Sequence, residues 1–293
     1  MNNNTNTIIN EIKKLEPEFI ELIHKRFGLV IRINQATELT KTIIAACIKF
    51  NYLPQEYLNH LKSCSCNSSL LADLLASITV GESYFFRDKN QMLLLEKILL
   101  PQLIKKKSND FTLKIWSAGC SSGEEIYTIA MLLTELLPNI DSWDLYLIGT
   151  DINTSALQKA SSGIYGQWSM RSISEKYVKR YFKTNNRSYI LSPEICDLVQ
   201  FKYLNLCDNS YPSIINGIFD VDLILCRNVL IYFDNELVIK IMKKLSACMT
   251  EHGYLVLGAS DPIVTSGTNL SFHHNDAIYF SLNKDDETKK DFK

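Results

Sequence analysis

The stretch “FDVDLILCRNVLIYFD” (Phe219–Asp234) is almost wholly apolar, yet it contains residues that can do polar chemistry. Arg227 and Asn228 lie in its middle, and Tyr232 follows four residues after Asn228. Burying an unpaired charge or amide costs several kcal/mol, so each needs a compensating partner. That partner is either another part of the protein or a bound ligand.

A second polar cluster is acidic. In “AGCSSGEE”, Gly119 and Gly123 allow the backbone to approach a ligand, and Glu124 and Glu125 begin a helix. Two acids would repel a pyrophosphate, whereas they suit a ligand that carries an ammonium group. The alternative is that both acids only stabilise the positive end of the helix dipole.

A third acid ends the apolar run “LIGTD”. At the end of a strand in a nucleotide-binding sheet, Asp151 is placed to accept hydrogen bonds from both ribose hydroxyls of a nucleoside. The alternative is a helix cap for “NTSALQKA”. A nucleoside without phosphates but with an amino-acid ammonium group is S-adenosylmethionine, and Arg227 and Asn228 then lie where cofactor and methyl acceptor meet.

The segment “TVGESYFFRD” (Thr79–Asp88) combines three consecutive aromatic residues with Arg87. It precedes the strands, so it joins two parts of the chain. Taken alone, it is best interpreted as an aromatic hinge that packs two domains together, with a solvated arginine.

The elements that must position these residues form an α/β pattern. From about Leu113, apolar strands alternate with amphipathic helices, which is typical of a doubly wound, mostly parallel sheet. Ligands bind such sheets beyond the carboxyl ends of the strands, where these polar residues occur. In the last long helix we expect Asp234 as the N-cap and Gly253 as the C-terminal stop.

The pattern divides the chain into units. We expect an N-terminal helical domain at 1–77, a linker helix region at 78–112 and the sheet domain at 113–284. A small subdomain inserted at about 163–201 interrupts the α/β alternation. The Asn-rich start and the tail 285–293 are expected to be disordered.

Composition restricts the partners and the location. A net charge of −1 and a pI near 6.5 give no electrostatic footprint for nucleic acid or an anionic membrane. The start lacks the order of a secretory signal and no apolar run is long enough for a membrane span, so we expect a cytoplasmic monomer.

Neither the cysteines nor the histidines predict a metal site. The eight cysteines are scattered, and the pair Cys64 and Cys66 lacks two further ligands at zinc-site spacing. His273 and His274 are adjacent, so on a strand they point to opposite faces. We therefore expect no metal and no disulfide framework.

Together, seven motifs resemble the CheR family of chemotaxis receptor methyltransferases in order and spacing, over nearly the whole chain. They are “ESYFFRD”, “WSAGCSSGEE”, “GTDI”, “SSGIY”, “VQFKYLNL”, “DLILCRNVLIYFD” and “GYLVLGASD”. The resemblance implies a Rossmann-like methyltransferase domain with an N-terminal helical domain and an inserted β-subdomain. It also implies that glutamate side chains on cytoplasmic helices of methyl-accepting receptors are methylated, giving glutamyl methyl ester and S-adenosylhomocysteine.

The resemblance further implies a set of site residues. Tyr232 and Arg87 match positions linked to catalysis, and the cofactor contacts fall on Gly81, Ser83, Arg87, Glu125, Asp151, Asn205, Leu206, Arg227 and Asn228. This chain departs from the common pattern in “GES” at 81–83, where many members have Asn-x-Thr, in Ile126, where members usually have proline, and in Asp261, where glutamate is frequent.

A carboxylate acceptor is already ionised at neutral pH, so the reaction needs alignment and not a general base. We expect Arg87 to orient the carboxylate and the Tyr232 hydroxyl to hold the acceptor or the donor by a hydrogen bond. The loop “KTNNRSY” of the insert is short, which favours recognition without a receptor C-terminal tether. The alternatives are a catalytically weak S-adenosylmethionine-binding signalling scaffold and a nicotinamide oxidoreductase, whose glycine fingerprint is incomplete.

Overall fold

The computed structural model describes residues 2–65, 68–79, 82–274 and 277–283. Gly81, Cys66 and the tail 285–293 lie outside these described residues. Four helices form the N-terminal unit, namely α1 (Asn2–Phe27), α2 (Ile33–Phe50), α3 (Pro54–Ser63) and α4 (Ser69–Ile78). Their apolar faces form a separate core that includes Ile12, Phe19 and Ile23, all fully buried.

Helix α1 differs from the expectation of a disordered Asn-rich start. It begins at Asn2 and continues for 26 residues. Once its amphipathic part is fixed by the core, each further residue adds a backbone hydrogen bond that offsets the entropy lost in fixing that residue, without a new nucleation cost. Within the described chain, neither α1 nor any other helix combines the length and apolar character needed to cross a bilayer.

A second helical stretch connects this unit to the sheet. It consists of α5 (Lys89–Leu94), a π-helical turn (Leu95–Leu99) and α6 (Leu100–Lys106). Asp88 caps α5 by accepting a hydrogen bond from the backbone N–H of Gln91 at 3.3 Å. The preceding aromatic segment is held against the sheet domain by the Phe86 N–H, which donates to the Thr128 hydroxyl at 3.2 Å.

Ten strands follow in the described chain: β1 (Thr112–Ala118), β2 (Asp144–Asp151), β3 (Ile164–Gly166), β4 (Phe182–Asn185), β5 (Ser188–Leu191), β6 (Val199–Tyr203), β7 (Val221–Cys226), β8 (Met249–Leu257), β9 (Leu270–His274) and β10 (Ile278–Leu282). Seven form one sheet in the order β6-β2-β1-β7-β8-β10-β9. Within this sheet, β10 runs opposite to the other six strands, because it pairs antiparallel with both β8 and β9. The predicted α/β fold class is confirmed, and the strand order reverses between β1 and β7.

The helices of the sheet domain are α7 (Glu124–Leu136), α8 (Thr154–Ser162), α9 (Glu175–Tyr181), α10 (Pro193–Cys196) and α11 (Asn235–Ala247). Asp234 caps α11, as predicted, by accepting a hydrogen bond from the Leu237 N–H at 2.9 Å. The prediction that Gly253 stops this helix is wrong. Gly253 lies inside β8, where an added Cβ would come within 2.9 Å of the Val221 carbonyl oxygen.

The inserted unit is a small sheet in the order β3-β5-β4. Phe85 of the aromatic segment packs edge-on against Tyr165 and Phe182, with ring centroids 4.8 and 5.1 Å apart. The insert ends before Val199, not at residue 201, because β6 pairs with β2 in the large sheet. The aromatic segment thus packs on the insert as well as preceding the sheet.

The helical unit contacts the sheet domain through the connection between α1 and α2. The Val30 N–H donates to the Tyr232 carbonyl oxygen at 2.9 Å, and Arg32 donates to the Ile231 carbonyl oxygen at 3.0 Å. The Asn205 amide donates to the carbonyl oxygen of Arg26 at 3.0 Å. These bonds place the connection beside the loops that follow β6 and β7.

Candidate functional site

A cavity of about 710 Å³ opens at the carboxyl ends of β1, β2 and β7, on both sides of the point where the strand order reverses. Small-molecule sites in proteins have volumes of roughly 300–1,000 Å³ and occur at such positions. Of the predicted site residues, those that line the cavity are Ser83, Arg87, Glu125, Asp151, Asn205, Leu206, Arg227, Asn228 and Tyr232. Gly81 lies outside the described residues.

Both glycines after β1 have left-handed backbones, with φ of 77° at Gly119 and 87° at Gly123. A Cβ on Gly119 would lie 2.5 Å from Val229, and one on Gly123 would lie 2.9 Å from Ala160. Gly119 lines the cavity and Gly123 does not. Their main role in the fold is therefore close packing and turn geometry, and less the approach to a ligand that the sequence suggested.

Arg227 finds its partners inside the protein. Its guanidinium forms an ion pair with Glu125 at 2.9 Å and donates to the Gln91 side chain and, at 2.7 Å, to the Arg87 carbonyl oxygen. The side chain is only 2% exposed. The partner that the sequence left open is thus supplied by the fold, and Arg227 neutralises an acid at the cavity wall.

The two acids that begin α7 have different environments. Glu124 is fully buried, accepts hydrogen bonds from Ser122 and Ser169, and does not line the cavity. The expectation that both acids suit a cationic ligand is therefore wrong for Glu124. Glu125 lines the cavity, is 14% exposed and accepts from Ser117 at 2.6 Å, and a carboxylate has further acceptor positions.

Asp151 connects the loops after β1 and β2. It accepts hydrogen bonds from the backbone N–H groups of Ser121 and Asn153, both at 2.8 Å. The helix-cap alternative is wrong, because the Asn153 side chain caps α8 through the Ala156 N–H at 3.0 Å. Burial raises the pKa of Asp151 above its usual value, and the N–H donors partly offset this rise.

Asn205 and Leu206 form the wall after β6. The Asn205 side chain donates to Arg26 and accepts from the Cys207 N–H at 3.0 Å, so both ends of its amide are engaged within the protein. Both residues are at least 95% buried. The Asn205 side chain therefore acts mainly in holding this wall in place.

The loop that carries Asn228 and Tyr232 is held by Asp261. One Asp261 oxygen accepts from the N–H groups of Asn228 and Gly258, and the other accepts from the Ile231 N–H at 3.3 Å. Asn228 adopts a left-handed φ of 59°, which an asparagine tolerates better than most residues. Burial raises the Asp261 pKa, and the backbone donors act in the opposite direction.

Tyr232 and Arg87 both line the cavity. Burial raises the pKa of the Tyr232 phenol, while the positive charges of Arg87 and Arg32 act to lower it. The phenol therefore stays protonated and able to donate at neutral pH. The Arg87 guanidinium donates to the carbonyl oxygen of Glu82, a neutral acceptor, and lies 5.6 Å from the Tyr84 ring centroid.

Sequence reasoning missed three contributors. Gln91 is 2% exposed and links Arg227 to the Leu257 carbonyl oxygen, and Phe27 and Leu29 bring the helical unit into the cavity wall. An amide within the apolar run “QMLLLEKILL” was the available signal for Gln91. Nothing in the local pattern around Phe27 separates a cavity residue from a core residue.

Comparison with known proteins identifies the family. Residues 81–278, more than half of the chain, match the family model described as “CheR methyltransferase, SAM binding domain”. The chain is 33% identical over 273 residues to the chemotaxis protein methyltransferase of Borreliella burgdorferi, covering 90% of this chain and 94% of the relative. It is 36% identical over 203 residues to chemotaxis protein methyltransferase 1 of Pseudomonas aeruginosa, covering 68% and 70% respectively.

Among solved structures, the magnesium protoporphyrin IX methyltransferase of Synechocystis PCC 6803 is similar with a TM-score of 0.34 and 12% identity, covering 82% of this chain and 94% of that one. That likeness is too low to add support, and the family match stands on the sequence relatives. The predicted resemblance is confirmed: the chain belongs to the CheR methyltransferase family.

Proposed function

We propose that this protein is a protein-glutamate O-methyltransferase that acts on the cytoplasmic helices of methyl-accepting chemotaxis receptors. The products are the glutamyl 5-methyl ester and S-adenosylhomocysteine. The observation that carries the proposal is the convergence of Glu125, Asp151, Arg87 and Tyr232 on one cavity at the carboxyl ends of the strands. The names of the chemotaxis relatives support the choice of receptor substrate.

The donor set of the cavity fits S-adenosylmethionine. Asp151 would accept hydrogen bonds from the ribose hydroxyls, and Glu125 would hold the ammonium group of the cofactor. Arg87 would pair with the carboxylate of the acceptor glutamate. Ser83 offers a hydroxyl at the wall, while the remaining walls would surround the nucleoside with main chain and apolar surface from Asn205 and Leu206. Arg227 would act mainly by fixing Glu125.

When bound, the cofactor supplies an electrophilic methyl group on a sulfonium centre. The protein’s part is alignment in a partly dry cavity, where opposite charges that disappear in the products are less well solvated than in water. An ionised glutamate needs no proton removed, which agrees with a Tyr232 phenol whose pKa is raised by burial. Arg87 would orient the incoming carboxylate and the Tyr232 hydroxyl would fix its position.

Methyl transfer is tested with radiolabelled S-adenosylmethionine and a purified cytoplasmic fragment of a chemotaxis receptor from the same cell. We expect label in the fragment with the intact protein, and little with Arg87→Ala. Cofactor binding without any transfer, across all receptors of the cell, would favour the signalling-scaffold alternative. Stabilisation by NAD but not by S-adenosylhomocysteine in thermal denaturation would contradict the cofactor assignment.

A further inference from the structure

A cluster of aromatic and arginine side chains borders the cavity on the side of the insert. The guanidinium carbon of Arg171 lies 3.4 Å from the ring centroid of Tyr84 and 4.1 Å from that of Trp168. Tyr84 lines the cavity, whereas the Trp168 side chain is 65% exposed. We call Tyr84, Trp168 and Arg171 the stacked rim, because these three side chains extend the cavity wall onto the protein surface.

The stacked rim is held by hydrogen bonds and an ion pair within the protein. Arg171 donates to the Trp168 carbonyl oxygen at 2.8 Å and pairs with Glu82 at 3.0 Å. Beneath it, the Ser169 carbonyl oxygen accepts from the Phe85 N–H at 3.0 Å, which ties the insert to the aromatic segment. Side chains that are already ordered lose little entropy when a partner binds, so this surface is pre-organised for contact.

The packing of the protein does not account for Trp168. A tryptophan that served only the core would bury most of its large apolar surface, and this one leaves about two thirds of it in water. Tryptophan, tyrosine and arginine are the residues most enriched at the energetic centres of protein interfaces. All three types occur here in one stacked group beside the candidate site.

The charge around the cavity mouth suits an anionic partner. Lys159 and Arg87 line the cavity, and Arg171 adjoins it through Tyr84. Three acids line the cavity, Glu82, Glu125 and Asp151, of which Glu82 is paired with Arg171 and Glu125 with Arg227. With Arg227 counted, the described cavity lining and Arg171 together carry four positive and three negative side chains, although the whole chain has a net charge of −1.

We propose that the stacked rim is the docking surface for the helical segment of the protein substrate that carries the acceptor glutamate. This inference rests on the proposed function, since it names where the same substrate makes contact. An α-helix is about 10–12 Å wide, so one helix lying across the mouth contacts the rim while one of its side chains enters the cavity. Trp168 contacts the apolar side chains of that helix beside the acceptor glutamate, and Arg171 faces its acidic side chains.

The test combines binding and kinetics on the full chain with Trp168→Ala. A receptor cytoplasmic fragment is the probe, and its affinity is measured in the presence of S-adenosylhomocysteine. Loss of an exposed interface tryptophan is expected to weaken fragment binding and to raise KM for the fragment by at least about tenfold. The values of kcat and of the dissociation constant for S-adenosylhomocysteine are expected to change by less than about twofold.

Two control variants separate docking from a structural effect. Ile215→Ala removes a 98% exposed apolar side chain from the loop between β6 and β7 and is expected to leave KM unchanged. Arg171→Lys keeps the charge but loses the planar stacking group, so an intermediate rise in KM is expected. Unchanged cofactor affinity in Trp168→Ala reports an intact fold.

The possible failures are distinguishable. If the wild-type protein methylates the fragment and Trp168→Ala does so with an unchanged KM, the docking surface is overturned and the proposed function stands. If Trp168→Ala instead abolishes self-association of the chain without changing KM, the rim is a contact between two copies and the inference is wrong. If the wild-type protein binds the fragment through Trp168 but transfers no methyl group, docking is supported and the proposed function fails.

Discussion

At the scale of single residues, the polar groups in and next to the cavity differ in their roles. Arg227 has its partners within the protein, at Glu125 and Gln91. Glu124 accepts hydrogen bonds from Ser122 and Ser169. Glu125, Asp151, Arg87 and Tyr232 line the cavity. The division separates residues that build the site from residues that we propose to contact cofactor or acceptor.

The proposed role of Tyr232 is tested by Tyr232→Phe, which removes only the hydroxyl. We expect kcat to fall by at least about tenfold, because a hydrogen bond that aligns the reacting groups is worth about 1.5 kcal/mol or more. The dissociation constant of S-adenosylhomocysteine, measured by calorimetry, should change by less than about threefold. Tyr279→Phe, on β10, is the matched control. Equal losses in kcat and affinity would make Tyr232 a packing residue.

The absence of a required general base predicts the pH dependence of the rate. At saturating cofactor and receptor fragment, kcat is expected to be nearly flat from about pH 6 to 8, because the acceptor glutamate is ionised throughout this range. Initial rates of label transfer in buffers of constant ionic strength provide the measurement. A steep rise through about pH 7 would show that a group must lose its proton.

The raised pKa of Asp151 predicts that acid weakens cofactor binding. Its ionised carboxylate accepts from the ribose hydroxyls, and protonation removes acceptor capacity, so affinity is lost as the pH falls through the raised pKa. That midpoint should lie above the usual value of 3.8. Calorimetric titration of S-adenosylhomocysteine between about pH 4 and 7 measures it. Asp151→Asn should bind about tenfold more weakly at neutral pH, with little pH dependence; a variant that keeps the wild-type pH profile would contradict the assignment.

At the scale of elements, the site depends on a connection outside the sheet. The segment between α1 and α2 contributes Phe27 and Leu29 to the cavity and hydrogen-bonds to the loop of Tyr232 through Val30. Gly28 allows this close approach: its φ is 71°, and a Cβ there would lie 2.3 Å from Leu237 and 2.5 Å from the Cys207 sulfur. The helical unit is therefore part of the site and not only an appendage to it.

The contribution of this connection is tested by Gly28→Ala. Strain at a positive φ and the two clashes should destabilise the protein by about 1–3 kcal/mol and weaken S-adenosylhomocysteine binding, because the shifted connection disturbs the cavity wall. Thermal denaturation and calorimetry measure the two effects. Gly166→Ala is the control, since nothing lies within 4 Å of its added Cβ. A variant with wild-type affinity would contradict the coupling.

Sequence patterns predicted the secondary-structure elements better than they predicted which side chains interact. The alternation from Leu113 onward predicted the parallel sheet, and Asp234 was correctly placed as a cap, because both depend on local periodicity and local hydrogen bonds. Gly253 was misplaced because a glycine in a strand and a glycine after a helix look alike in sequence. The partner of Arg227 lies 102 residues away at Glu125, and no local rule connects them.

At the scale of the whole molecule, the helical unit, the sheet domain and the insert each supply part of one cavity and its border. Leu29 comes from the first, Asp151 and Tyr232 from the second, and Trp168 of the stacked rim from the insert. The family assignment is independent of this geometry, since it depends on sequence relatives. We propose that the arrangement delivers a helix-borne carboxylate to a bound methyl donor.

The measurement that tests this central claim most directly is the alkali lability of the transferred methyl group. Receptor fragment labelled by the wild-type protein is treated with mild base, and released methanol is counted. A methyl ester on glutamate hydrolyses, so we expect nearly all label to be released and Tyr232→Phe to reduce the labelled amount without changing its lability. Label that withstands base would show a product other than a methyl ester and would contradict a site organised to methylate an ionised carboxylate.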